Sequence, residues 1–143
     1  MKKRILVVDD DAGIVEVLNE MLTYNGYEVR AVQRGDKVFE NIVTYNPDLI
    51  LMDVMLSGMD GRTICRALRA IDSTSNIPVI LLSGGNFEMQ KVLKDSSAND
   101  YVMKPFNITT LLDKIENHLS AAWFANLQIG YPGMYTLNIV TYI

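Results

Sequence analysis

Three acids, Asp9, Asp10 and Asp11, directly follow an apolar run at residues 5–8, and a lone acid, Asp53, ends a second run at residues 49–52. Ser83 follows a third run at residues 79–82, and Lys104 a fourth at residues 101–103. Carboxylates brought within a few ångström raise one another's pKa unless a cation lies between them, so the acids imply a bound cation. Oxygen-only ligation suits Mg2+, which takes one or two carboxylates with phosphate oxygens and keeps several waters. Asp9 and Asp10 are the expected sequestering pair, with Asp53 as a third ligand and Met55 offering its backbone carbonyl. All three leading acids could instead favour the positive start of the next helix, but a cap needs one side chain. That role goes to Asp11.

Asp53 is an ionisable group between the apolar residues 49–52 and 54–56. A carboxylate can attack a phosphoryl group and form an acyl phosphate. Mg2+ would neutralise the incoming charge, while the Ser83 hydroxyl and the Lys104 ammonium hold the equatorial oxygens, which is catalysis by position and electrostatics. The plainer alternative is a buried Asp53–Lys104 salt bridge with Ser83 an ordinary turn residue. Such a bridge is compatible with a resting state of the same site.

Positioning these groups falls to short β-branched runs that alternate with helical patterns about every twenty residues. Strands are expected at 5–8, 27–32, 49–52, 79–82 and 101–103; the first, third and fourth are apolar throughout, as in a parallel sheet covered on both faces. Buried helical stripes are expected from Ile14/Val17/Leu18/Met21/Leu22, Val38/Phe39/Ile42/Val43, Ile64/Leu68/Ile71 and Ile108/Leu111/Leu112/Ile115/Leu119. A weaker helix spans 87–95. Gly26 supplies a left-handed stop, Pro47 closes the second helix and Asn107 caps the last. Five βα pairs fill residues 1–120, an α/β doubly wound sheet whose ligands bind outside the carboxyl ends of its strands. All the residues singled out above lie there.

The 143 residues are 49% apolar and 21% charged, the composition of one globular domain. At that length about 70% of the unfolded chain's surface is buried on folding, so neither disulfide nor structural metal is required. The single cysteine, Cys65, reads as a small core filler, and the acid-rich start lacks a secretory leader, which points to the cytoplasm. No run of 18 apolar residues predicts a membrane span. A net charge of −4 argues against direct nucleic-acid binding. Every Lys, Arg, Asp and Glu lies at or before Glu116, so residues 121–143 stand apart as an uncharged apolar extension. Pro132-Gly133 and the alternation at 135–139 admit a hairpin. The break in composition favours residues foreign to the domain over a helix and hairpin covering its surface or a dimer contact.

The motifs ILVVDDD (5–11), PDLILMDVMLSGMDG (47–61), IPVILLSGG (77–85) and DYVMKPF (100–106) resemble, in order and separation, the receiver domain of two-component response regulators, the chemotaxis regulators among them. The resemblance covers about 120 residues and implies a flavodoxin-like fold, a five-stranded sheet of order 2-1-3-4-5 between five helices. It also implies that Asp53 accepts phosphate from a sensor histidine kinase or phosphotransfer protein, with Asp9 and Asp10 on Mg2+ and Lys104 and Ser83 on the phosphoryl oxygens. The resemblance gives Tyr101 the role of the rotating aromatic that couples Ser83 to the face of the fourth helix, fifth strand and fifth helix; the plainer alternative is a tyrosine opening an edge strand that only packs. By the same resemblance that face would bind a downstream protein, and a homodimer is a further expected partner. The chain then catalyses only its own phosphorylation and dephosphorylation.

Ser57 stands where many receivers have proline, which predicts a less rigid loop, and Gly84-Gly85 predicts a site open to water and a short-lived phosphorylated state. His118, the only histidine, reads as a surface residue remote from the strand ends. Two further readings compete. A haloacid-dehalogenase-type phosphatase also forms an aspartyl phosphate but has a second acid two residues on, where this chain has Met55. An inactive receiver-like interaction module would have lost one of the five key groups, and none is lost.

Overall fold

The structure, a computed structural model, describes residues 1–128, with side chains through Ala121. Five strands form one parallel sheet: β1 (Arg4–Val8), β2 (Glu28–Val32), β3 (Leu49–Asp53), β6 (Val79–Ser83) and β7 (Asp100–Met103). A two-residue hairpin, β4 (Met55–Leu56) and β5 (Met59–Asp60), was not expected, so the sheet order β2-β1-β3-β6-β7 is the anticipated 2-1-3-4-5 with the two short strands counted. The helices are α1 (Ala12–Tyr24), α2 (Val38–Tyr45), α3 (Gly61–Arg69), α4 (Met89–Ser96) and α5 (Ile108–Gln128). The weaker helix expected at 87–95 is α4, which starts two residues later.

Strands β1, β3 and β6 are buried along nearly their whole length, because helices cover both faces. Leu6, Val8, Ile50, Met52, Val79 and Leu81 pack towards α2, α3 and α4. Ile5, Val7, Leu49, Leu51, Ile80 and Leu82 pack towards α1 and α5. This division follows the two-residue alternation of side chains along a strand.

The caps agree with expectation. Asp11 accepts from the backbone N–H of Gly13 at 2.9 Å and Ile14 at 3.2 Å, Gly26 takes φ +91°, and Asn107 Oδ1 accepts from Thr110 N–H at 3.1 Å. Helix α2 ends on left-handed Asn46, immediately before Pro47. The buried stripes are narrower than expected. Val17, Phe39, Val43, Ile71 and Ile108 are exposed, and Val43 shows 83% of its surface; a parallel sheet covers only the centre of each helical face, and these positions lie at its margin or, for Ile71, beyond the helix end. Helix α5 continues past Ser120 to Gln128, so the change in composition falls inside a helix. The turn at Pro132-Gly133 and the alternation at 135–139 lie outside the described residues.

Candidate functional site

The register brings the strand ends level: Val8 pairs with Met52, Asp53 with Leu82 and Ser83 with Met103. Asp9, one residue past β1, is fully buried, and its N–H bonds the Val32 carbonyl at 3.1 Å. Its Oδ1 accepts from the Asp11 N–H at 2.9 Å and its Oδ2 from Lys104 Nζ at 2.8 Å. Asp53, the last residue of β3, is also buried. Its Oδ1 accepts from the Met55 N–H at 3.1 Å and its Oδ2 from the same Lys104 ammonium at 3.1 Å. Asp10 is exposed, with Oδ2 taking two bonds from Ser57, one from its N–H at 3.0 Å and one from its hydroxyl at 2.6 Å.

One oxygen each from Asp9, Asp10 and Asp53 lies within 4.8 Å of the others. Three carboxylates against one ammonium leave the cluster two charges negative. A divalent, oxygen-preferring cation completes that balance, so the donor set fits Mg2+. The Met55 side chain is exposed and its N–H is committed to Asp53.

The buried polar groups set the electrostatics. Burial, the largest influence, raises the Asp53 carboxyl above the usual range together with the charge of Asp9, against opposing bonds from Met55 and Lys104. Burial alone would lower the Lys104 ammonium, but its bonds to Asp9 and Asp53 outweigh this and raise it. The Ser57 hydroxyl holds Asp10 below the usual carboxylate range.

Ser83 is 1% exposed, and its hydroxyl has no hydrogen-bond partner among the described residues. Buried hydroxyls are nearly always bonded, so this one is free to donate to a group bound beside it. With Asp53, Gly84, Gly85, Phe87 and Lys104 it lines a cleft of about 220 Å3. Asp9, Asp10, Asp53, Ser83 and Lys104 therefore converge at one end of the sheet. Tyr101 is half-buried on the α3–α4 side, the side to which alternation also directs Ser83.

Three features of the surroundings were not read from the sequence. The loop at Ser57, expected to be less rigid without proline, is pinned by two bonds to Asp10. Gly61 sits where a Cβ would collide with the Asp53 backbone carbonyl, so only glycine lets α3 begin against β3. His118, expected at the surface, keeps only 25% of its side chain exposed and pairs with Asp100 Oδ2 at 2.9 Å, because α5 lies along the first residue of β7. Lys114 completes that cluster: its Nζ bonds Asp100 Oδ1 at 2.9 Å and the Tyr101 carbonyl at 2.7 Å. Cys65 is buried in the core, as expected.

No helix of the described residues is long and apolar enough to cross a membrane. Residues 5–116 match the family model of the response regulator receiver domain. The chain is 38% identical over 120 residues to the DNA-binding response regulator MtrA of Mycobacterium tuberculosis, covering 83% of this chain and 51% of MtrA. It is 36% identical over 116 residues to the response regulator MprA of Mycolicibacterium vanbaalenii, covering 80% of this chain and 49% of MprA. The chain thus spans about half the length of these curated relatives. Among solved structures, the BeF3-activated N-terminal receiver domain of Klebsiella pneumoniae RstA superposes with TM-score 0.74 at 33% identity, covering 82% of this chain and 98% of that one. A CheY-like receiver domain protein from Methanospirillum hungatei does so with TM-score 0.80 at 27% identity, covering 87% and 99%. The chain belongs to the response regulator receiver domain family.

Proposed function

We propose that this domain is a phosphorylation-dependent switch in which Asp53 accepts a phosphoryl group from a phosphohistidine on a sensor kinase or phosphotransfer protein. The observation that carries the reading is the Lys104 ammonium shared by Asp9 and Asp53 beside a Ser83 hydroxyl unpartnered among the described residues. An Asp53 oxygen attacks phosphorus, the P–N bond of the donor breaks, and its electron pair returns to the imidazole nitrogen. Lys104 and Ser83 then hold two phosphoryl oxygens, and hydrolysis of the acyl phosphate restores the carboxylate. Asp9, Asp10, Asp53 and the Met55 carbonyl would hold Mg2+, which supplies charge neutralisation of the phosphoryl oxygens.

The bond that Ser83 makes to the phosphoryl group draws its loop towards Asp53, and Tyr101 fills the space vacated. That movement biases the face of α4, β7 and α5 towards a protein partner or a second copy. The cytoplasm is where such a donor would be met. DNA binding, in the name of the MtrA relatives, is a property of proteins about twice as long as the matched part; the acidic balance of this chain supports a protein partner for its domain.

Incubation with MgCl2 and acetyl phosphate, followed by intact mass, tests the reading. One phosphoryl adduct, absent in Asp53→Asn, is expected. Continuous release of phosphate over many turnovers would instead indicate a phosphatase, and no adduct an inactive interaction module.

A further inference from the structure

We infer that Ser57 is a positioning residue for the divalent cation, acting through Asp10; the inference rests on the function proposed above. Of the three clustered carboxylates, Asp9 and Asp53 are buried and each is anchored by a backbone N–H and by Lys104. Asp10 is exposed and has no bond to Lys104 among the described residues. Left to itself, an exposed carboxylate facing two others would turn to solvent, since like charges at this range repel.

Ser57 prevents that rotation. Its N–H and hydroxyl both donate to Asp10 Oδ2, at 3.0 and 2.6 Å, across 47 residues of sequence. Two donors on one oxygen fix the plane of the carboxylate and leave Oδ1 free of them. The serine is itself held. It is the first of the two residues joining β4 to β5, the second being Gly58 at φ +73°, the value needed at the second central position of a type II turn. The hairpin therefore aims the serine donors, and the serine aims Asp10. Groups behind a metal ligand commonly govern affinity as strongly as this.

The test is a calorimetric titration of the full chain with MgCl2 alone. Ser57→Ala keeps the N–H donor and removes the hydroxyl, and weakens Mg2+ affinity about tenfold, with the metal-free melting temperature unchanged. Ser57→Thr restores the hydroxyl and the affinity. Equal or tighter binding by Ser57→Ala, or no recovery in Ser57→Thr, would overturn the inference. If the unsubstituted chain binds no Mg2+, or Asp53→Asn and Asp9→Asn leave binding unaltered, it is the proposed function that fails.

Discussion

Lys104 and Asp9 are separated by 95 residues, yet Nζ of one lies 2.8 Å from Oδ2 of the other. Asp9 is fully buried, and its side chain is bonded by that ammonium and by the Asp11 N–H. Removing one member of a buried pair costs about 3–5 kcal/mol; with the Lys104 side chain 17% exposed, the lower end applies. Lys104→Met is expected to lose about 3 kcal/mol in urea unfolding without Mg2+ and to abolish phosphorylation by acetyl phosphate. A variant as stable as the unsubstituted chain would refute the dependence.

Ser83→Ala separates stability from reactivity. The buried hydroxyl is unpartnered among the described residues, and an unsatisfied buried polar group costs about 1–3 kcal/mol. Its removal should stabilise the resting domain by about 1 kcal/mol while slowing formation of the phosphoryl adduct. Chemical denaturation and the time course of intact mass would show opposite effects; a destabilised variant would mean that the hydroxyl is satisfied in solution.

The raised Asp53 pKa has a definite sign. The fold favours the protonated carboxyl, so this group contributes stability below its ordinary value of 3.8 that is lost as pH rises through the raised value. Urea unfolding without Mg2+ should show that decline between the two values, and Asp53→Asn should lack it. Mg2+ bound by the Asp53 carboxylate would favour its ionised form, so saturating MgCl2 should abolish the decline. A decline of the same size in Asp53→Asn would contradict this assignment.

Gly84→Ala probes access of water to the acyl phosphate. A Cβ there would meet Lys104 Cβ at 3.5 Å and Cδ at 3.6 Å, ordinary contact, so the alanine fits and narrows the mouth of the cleft. Dephosphorylation should slow about threefold, a barrier increase of roughly 0.7 kcal/mol. An unchanged decay of the intact-mass adduct would show that Gly84 does not control exposure.

Gly61→Ala has the opposite character. Its Cβ would overlap the Asp53 carbonyl oxygen and crowd Val54, backbone that has no rotamer to yield. Overpacking of this kind costs about 1–3 kcal/mol, and the displaced β3 end should carry Asp53 away from Lys104. A lower urea midpoint together with slower phosphorylation is expected; normal values of both would mean that α3 can shift freely.

How much of this was legible depended on locality. Strand ends are read from apolar runs, and a polar residue at the end of such a run has little choice of position, which is why Asp9, Asp53, Ser83 and Lys104 could be gathered before any coordinates. Asp11 and Asn107 were legible as caps because their partners lie two or three residues away. The Ser57–Asp10 bond was not, since nothing local to either residue encodes a contact made by two loops. The His118–Asp100 pair was missed for the same reason: Asp100 lies 18 residues off on another element. Val17 and Val43 were placed inside because periodicity gives the direction of an apolar face and not how far the sheet beneath it extends.

The shared ammonium yokes the ends of β1 and β3 to the first residue beyond β7. In the proposed switch, phosphorylation of Asp53 would trade the Lys104 bond to its carboxylate for one to a phosphoryl oxygen and leave the tether to Asp9 intact. A covalent event on one side chain would thereby be felt, through Lys104, at the segment entering α5.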